Sequence, residues 1–343
     1  MSGALTLAQH LAGAAAAKPD VAAACDVVDA LAKAAAQISA LVALGSLGGE
    51  VGAAVGRNFD GDLQKELDLR AHQTIAQALR AAPVAAIASE ELDDWLLLDA
   101  DRATAVAFDP LDGSSNIDAN LSIGTIFSIL PARGAENPFT GAGRSQVAAG
   151  FVVYGPQTTM ALTLGTGVDI FTLDRRDETW RLTARQVRIP AGTAEYAINA
   201  SNYRHWEEPV RIYIDDCLNG AEGPRAKNFN MRWLGSLVAE AYRILNRGGV
   251  FLYPGDSRPA YREGRLRLLY EAHPIAFVME QAGGLASTGR TRILDLAASD
   301  IHQRTPLIFG AAEKVLHIER LYAAPDGRAD ASPLFGRRGL FRL

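Results

Sequence analysis

Asp109 and Asp112 stand three residues apart in Asp109-Pro110-Leu111-Asp112-Gly113-Ser114-Ser115-Asn116. Carboxylate oxygens are what hard divalent cations such as Mg²⁺ take as ligands. The N–H groups and hydroxyls of Gly113, Ser114 and Ser115 can form a small concavity for an anion. Together they offer cation-assisted chemistry on a phosphate. Further acids fall at comparable places: Glu90 and Glu91 follow the apolar run 84–88, Glu271 ends the run 265–271, and Asp62 and Asp68 stand ahead of a helix. Like charges brought close together repel unless a cation neutralises them, so convergence of these acids would call for a divalent metal.

The elements that must bring them together are legible in outline. Residues 103–108 form an apolar β-type run that breaks at Asp109-Pro110, because proline fixes its φ and has no N–H to donate. A second β-branched run resumes over 121–130, so the acidic turn joins two buried strands. If the strands 84–88 and 103–108 are parallel or share a sheet edge, their acids meet at one end, where α/β folds hold ligands.

Apolar residues at three- and four-residue spacing predict helices over 5–14 and 21–44, separated by Pro19 with Asp20 as N-cap, and a third running to about Leu79. The glycine-rich segment 45–60 reads as a mobile loop able to close over a site. Strands are expected over 146–154, 158–163 and 179–188, with a hairpin-like region after Gly165. Helices are expected over 209–218, 237–246 and 274–281, and further strands over 250–253 and 265–271. His302, in Asp300-Ile-His-Gln-Arg-Thr-Pro, reads as structural.

At 343 residues and 48 % hydrophobic composition the chain exceeds one core, which predicts two packed subdomains. A net charge of −5 without a basic stripe argues against a nucleic-acid partner. Cys25 and Cys217 are far apart and read as buried small hydrophobes in a reducing, cytoplasmic setting. The apolar stretch 34–49 is too short and too broken to span a bilayer, and no signal peptide is read at the N-terminus.

The run Phe108–Ile129 resembles the signature of the class I fructose-1,6-bisphosphatases, and more broadly the Asp-Pro-(Ile/Leu)-Asp-Gly-(Thr/Ser) motif of the Mg²⁺-dependent, lithium-sensitive sugar and inositol phosphatases. The resemblance extends from about Leu5 to Gly310. It implies an α/β (α+β sandwich) fold layered α-β-α-β-α, with a metal- and phosphate-binding subdomain at 1–189 and a sugar- and distal-phosphate-binding subdomain at 190–343. It puts Glu90, Asp109, the Leu111 carbonyl, Asp112 and Glu271 on metal-ligand positions. Asp62, Asp68 and Glu91 fall on the acids that assist a further metal and activate water. Asp112, Gly113, Ser114 and Ser115 match the cradle at the scissile phosphate, and Asn199, Tyr203, Arg232, Tyr253 and Arg265 match residues serving the distal phosphate.

The implied activity is hydrolysis of the 1-phosphate of fructose 1,6-bisphosphate, in gluconeogenesis or the Calvin cycle. Two or more Mg²⁺ per subunit are expected, with Mn²⁺ able to substitute, in a homotetramer where Arg232 reaches across a subunit interface. Trp233 replaces a usual tyrosine, Arg265 a usual lysine, and 254–265 is lengthened. These departures leave a dual fructose-1,6-/sedoheptulose-1,7-bisphosphatase as an alternative, beside an inositol or nucleotide monophosphatase and a non-catalytic sugar-phosphate sensor. The places of the AMP-binding turn and of a Lys-Tyr pair hold 14–20 and Ala103-Thr104, so weak or absent AMP inhibition and no thiol switch are expected.

Overall fold

The computed structural model describes residues 4–48, 52, 54–57, 63–132, 134 and 136–324. Its described helices are α1 (Leu7–Ala17), α2 (Ala22–Leu44), α3 (Glu66–Arg80), α4 (Glu208–Leu218), α5 (Leu237–Arg247), α6 (His273–Gln281) and α7 (Ala312–Ala323). An eight-stranded sheet runs in spatial order Thr179–Ala184, Asp169–Asp174, Thr158–Thr163, Ala148–Tyr154, Ile123–Pro131, Thr104–Asp112, Val84–Ser89, Leu96–Leu97. A five-stranded sheet runs Asn230–Met231, Glu195–Ala197, Val250–Tyr253, Leu307–Ala311, Gly284–Ser287.

Side-chain alternation along the strands generates the layers. In the first sheet, Phe127 and Ile129 pack with Leu11, Val28, Ile38, Leu67 and Ile75 of α1–α3, whereas Ile126 and Phe151 turn the other way. There they meet α5 and α6 through Val238, Ile244, Ile275 and Val278, together with Phe251 and Phe309 of the second sheet. Val250, Leu252 and Ile308, one residue out of phase, face α4 and α7 through Val210, Ile214, Val315 and Ile318. The order of layers is therefore α-β-α-β-α.

Several sequence expectations are corrected. Asp20 does not cap the second helix: α2 has Val21 as its N-cap with no side-chain cap hydrogen bond, whereas α1 is capped by Thr6, whose hydroxyl accepts Gln9 N–H at 3.2 Å while Gln9 Oε1 accepts Thr6 N–H at 3.0 Å. Asp20 lies inside a short 3₁₀ turn, Pro19–Val21. The segment Pro19–Leu44 is long and apolar enough to cross a membrane, at mean hydropathy 1.6. Its Val27, Val28, Leu31 and Ile38 are nevertheless buried in the protein core. The segment 45–60 is partly regular: Gly45–Gly48 forms a 3₁₀ turn and Ala54–Arg57 pairs antiparallel with Leu63–Lys65. Residues 49–51, 53 and 58–60 of it, and Asp62, lie outside the described residues. The strand expected over 265–271 stops after Leu266–Arg267, and Leu268–Ala272 forms a π-helical turn instead. Cys25 and Cys217 are both free and buried, and burial pushes the Cys217 thiol up to about 11.

One glycine sets how closely the layers approach. Gly124 lies opposite Asp112, and a Cβ there would sit 2.0 Å from Val152 O and 2.6 Å from Val238 Cγ2. Neither a strand backbone nor the first turn of α5 can yield cheaply. Gly124→Ala is expected to lower stability by about 1–3 kcal/mol, read as an earlier urea midpoint at unchanged slope.

Candidate active site

The parallel pairing of Val84–Ser89 with Thr104–Asp112 sets Ser89 opposite Phe108, so the acids that follow meet at one sheet end. Glu90 N–H donates to Phe108 O at 3.3 Å, and Leu92 N–H donates to Ser89 O at 3.2 Å, closing a turn with Glu90 and Glu91 at its corners. The second strand does not break at Asp109-Pro110. It continues to Asp112 with a shift of register between Asp109 and Asp112, where Pro110 has no hydrogen to give. Asp109 Oδ1 accepts Leu111 N–H at 2.9 Å, and Thr125 Oγ1 donates to Pro110 O at 2.8 Å, so the irregular stretch is held on both sides.

Gly113 then takes a left-handed φ of 81°, turning the chain into the short helix Ser114–Asn116. Asp112 Oδ2 accepts both Ser236 Oγ–H and Val238 N–H at 3.0 Å, which ties the turn to the N-terminus of α5.

Glu271 reaches the same place by a different route. The strand residues Ala85, Ala86, Ala88, Ala105 and Ala107 share a buried cluster with Leu269 and Tyr270 of the π-helical turn, whose wide loop can approach because those side chains are small. Single π-turns are frequent at functional sites. Arg267 N–H donates to Glu271 Oε2 at 2.5 Å, and Arg267 Nη2 stands 3.8 Å from Glu90 Oε1.

Asp109, Asp112 and Glu271, all buried, bring ligand atoms within 4.8 Å of one another. Around them a cavity of about 520 Å³ is lined also by Glu90, Glu91, Asp68, Leu111, Gly113, Ser114 and Ser115. Asp68 lies in the first turn of α3 rather than ahead of it. It accepts Lys65 N–H at 2.7 Å, and Ser114 Oγ stands 2.7 Å from its Oδ1 and 3.0 Å from Leu111 O. Two larger clefts, of about 750 and 740 Å³, lie near Arg80 and Arg102 and along α1 and α2, and neither gathers buried acids.

The electrostatics favour a cation among these acids. Burial, followed by Glu271, pushes Glu90 up to about 8 against the pull of Arg267. Burial raises Asp109 well above the usual carboxylate range, with Glu90, Asp112 and Glu271 adding to it. Burial also lifts Asp112 to about 6, although Val238 N–H and the Ser236 hydroxyl oppose it, and raises Asp68. Of the candidate ligands, Glu90, Asp109 and Asp112 hold protons tightly, and such hard-oxygen carboxylates form a donor set from which a divalent cation displaces protons.

The distal residues are less tightly gathered. Asn199 Oδ1 is engaged locally, accepting Ser201 N–H at 3.2 Å and Ser201 Oγ–H at 2.6 Å. The Tyr203 hydroxyl donates to Asp215 at 2.9 Å. Arg232 is half exposed, with Nε 3.7 Å from Glu195 Oε1, and is not brought to the carboxylates. Tyr253 and Arg265 do meet: the Arg265 guanidinium lies 5.9 Å from the Tyr253 ring and 3.6 Å over Tyr261. Trp233 stacks on Phe251 and tilts onto Tyr253, both at 5.9 Å. Two and three residues later, Gly235 O accepts from Asn116 and Ser236 holds Asp112, so this aromatic platform adjoins the phosphate turn.

The sequence reading missed Lys65, whose buried ammonium donates to Asp118 at 2.7 Å at the mouth of the site. It also missed Ser236 as a partner of Asp112, and Tyr261 and Arg258, which the lengthened 254–265 segment supplies. Arg258 lies 4.6 Å over Tyr261 and pairs with Asp256. The only signal for the last two was the extra length itself.

A five-layer fold with buried carboxylates converging beside a Gly-Ser-Ser turn defines a metal-dependent sugar phosphatase. The comparisons narrow the class: residues 6–185 match the family model for the fructose-1,6-bisphosphatase N-terminal domain, and residues 189–323 that for its C-terminal domain. The chain belongs to the class I fructose-1,6-bisphosphatase family. It is 62 % identical over 316 residues to a class 1 fructose-1,6-bisphosphatase of Rhodopseudomonas palustris strain HaA2, covering 92 % of each chain. It is 58 % identical over 345 residues to a class 1 fructose-1,6-bisphosphatase of Nitrobacter vulgaris, covering all of both. The crystal structure of Leishmania major fructose-1,6-bisphosphatase in holo form superposes with a TM-score of 0.87 at 32 % identity, covering 94 % of this chain and 100 % of that one.

Proposed function

We propose that this chain is a phosphatase that hydrolyses the 1-phosphate of D-fructose 1,6-bisphosphate, giving fructose 6-phosphate and inorganic phosphate. The observation that carries the reading is the convergence of Glu90, Asp109, Asp112 and Glu271 beside the Gly113–Ser115 turn, in a chain of this family. The family implies a divalent metal, and the donor set fits Mg²⁺, two or more per subunit, with Mn²⁺ able to substitute. Glu90, Asp109, Leu111 O, Asp112 and Glu271 would hold it. When bound, the metal supplies positive charge to the phosphoryl oxygens and makes water more acidic.

The protein's own groups supply the rest. The N–H groups and hydroxyls of the Gly113–Ser115 turn receive the phosphate, and Asp112, fixed by the N-terminus of α5, holds the turn in register. Asp68, whose carboxyl burial raises, and Glu91 orient the attacking water and take its proton.

Residues 1–189 supply these groups, and 190–343 supply the sugar and distal-phosphate contacts. Tyr253 and Arg265 form the nearer part of that second site. Asn199, Tyr203 and Arg232 complete it when a homotetramer brings Arg232 across an interface. The buried free thiols suit a cytoplasmic enzyme, working in gluconeogenesis or the Calvin cycle.

Chelator-stripped protein should release phosphate from fructose 1,6-bisphosphate only as Mg²⁺ is added, with saturation. Substrate binding without turnover would instead favour a sensor. The names of the relatives favour fructose bisphosphate over the sedoheptulose and monophosphatase readings. Arg265→Ala removes a guanidinium from a site for a phosphate that does not react. It should therefore raise KM about tenfold with kcat little changed, and equal losses in kcat and kcat/KM would refute that role.

A further inference from the structure

Glu90 and Glu91 occupy the corners of a turn whose ends are both held from outside the sheet. At the start, Ser89 Oγ meets His72 Nδ1 of α3 at 2.9 Å. At the end, Leu92 O accepts from His302 Nε2 at 2.8 Å. The other nitrogen of the same ring, Nδ1, lies 2.9 Å from the hydroxyl of Tyr270, the residue before Glu271. A carbonyl only accepts, so Nε2 carries the hydrogen, and in the neutral ring Nδ1 takes the hydrogen of the Tyr270 phenol. The imidazole thus spans two otherwise separate segments: the Ser89–Leu92 turn and the π-helical turn that carries Glu271.

The bridge is itself fixed. His302 N–H donates to Asp300 Oδ1 at 2.7 Å, Leu268 N–H donates to Gln303 O at 2.7 Å, and the ring is 7 % exposed against a fully buried Tyr270. Neither side chain is among those lining the carboxylate cavity. The mutual repulsion of Glu90, Asp109 and Glu271 pushes these two segments apart, and the His302–Tyr270 bridge opposes it from outside the cluster, alongside Arg267 within it.

We propose that His302 and Tyr270 are positioning residues for the metal-binding carboxylates. They act as a hydrogen-bonded clamp that sets the distance between the Glu90–Glu91 turn and Glu271. The clamp rests on the reading that these acids serve a divalent ion. It extends that reading to residues that touch neither ion nor substrate.

Calorimetric titration of the chelator-stripped full chain with Mg²⁺ reads the clamp directly, without turnover. Tyr270→Phe keeps the ring and removes only the hydroxyl. It is expected to raise the Mg²⁺ dissociation constant about tenfold, and His302→Ala by about ten- to a hundredfold. His302→Gln, whose amide nitrogen can stand near the place of Nε2 and donate to Leu92 O, should recover part of the loss. Tyr270→Phe combined with His302→Ala should be no worse than His302→Ala alone, because both break one bridge. The KM for the sugar bisphosphate should change far less than the metal affinity. If His302→Ala fails to fold, the more conservative Tyr270→Phe carries the test.

Mg²⁺ affinity within about threefold of the parent in the folded variants, with only a lower urea midpoint, would reduce the pair to ordinary packing and overturn the clamp. A parent chain that binds no Mg²⁺ would sink the functional reading and the clamp together. A parent that binds Mg²⁺ but leaves fructose 1,6-bisphosphate intact would sink only the functional reading.

Discussion

Asp109→Asn should lower kcat at saturating Mg²⁺ by about a thousandfold or more, equivalent to about 4 kcal/mol of lost transition-state stabilisation. The substitution is chosen because it leaves the loop intact: an asparagine oxygen can still accept the Leu111 N–H that Asp109 Oδ1 accepts at 2.9 Å. What it removes is charge. Burial holds the Asp109 carboxyl well above the ordinary range, and the facing Glu90, Asp112 and Glu271 add to it. With one carboxylate gone, the repulsion among the others falls, so the chelated variant should melt at a higher temperature than the chelated parent at neutral pH. Loss of activity with gain of metal-free stability is a combination that a damaged fold does not give. A variant that loses activity and also melts lower without metal would mean that Asp109 serves the strand end more than the ion. Activity within tenfold of the parent would remove it from the ligand set.

The expectation that drew attention to this acid came from residue order, and its success has a physical reason. Strands 84–89 and 104–112 each end in acids, and the parallel pairing that brings those ends together was the stated condition for convergence. The strands over 121–130 and 250–253 were equally legible as apolar runs, because burial on both sheet faces demands apolar side chains at every position, but for the same reason their sequence does not show which side chain faces which layer. Glu271 came forward as a strand-end acid but arrives on a π-helical turn. No periodicity announces that turn, because its cause lies in the alanines of two other strands that leave it room.

Asp20 failed as a cap for a similar reason. Pro19 folds it into a 3₁₀ turn, and α2 begins beyond that turn with Val21 as its N-cap and no side-chain cap hydrogen bond. His302, read as structural, lies outside the lining of the carboxylate cavity. What it bridges became visible only once Leu92 and Tyr270, 178 residues apart in sequence (270 − 92), stood on either side of one ring. Local chemistry could be read from local sequence; contacts made across the chain could not.

The same carboxylates should make the stability of the metal-free protein depend on pH in a direction opposite to that of salt-bridged acids. Glu90 is raised from 4.5 to about 8 and Asp112 from 3.8 to about 6, so each holds its proton more tightly folded than unfolded. For such a group the stabilisation is complete below the unfolded value and is lost as pH rises through the folded one. In chelator, Tm should therefore fall as pH climbs from 3.8 to about 8, the window these two groups define. Added Mg²⁺ displaces those protons, so its stabilising effect should be smallest at the acid end of the window and largest at the alkaline end. Thermal melts with and without Mg²⁺ across that range measure both trends at once. Asp109→Asn should flatten the chelated curve, because it removes a carboxyl that burial, with Glu90, Asp112 and Glu271 adding to it, raises well above its ordinary range. A chelated Tm that rises with pH over the window would mean that the buried acids are already neutralised by the protein itself, and that the cluster needs no cation to exist.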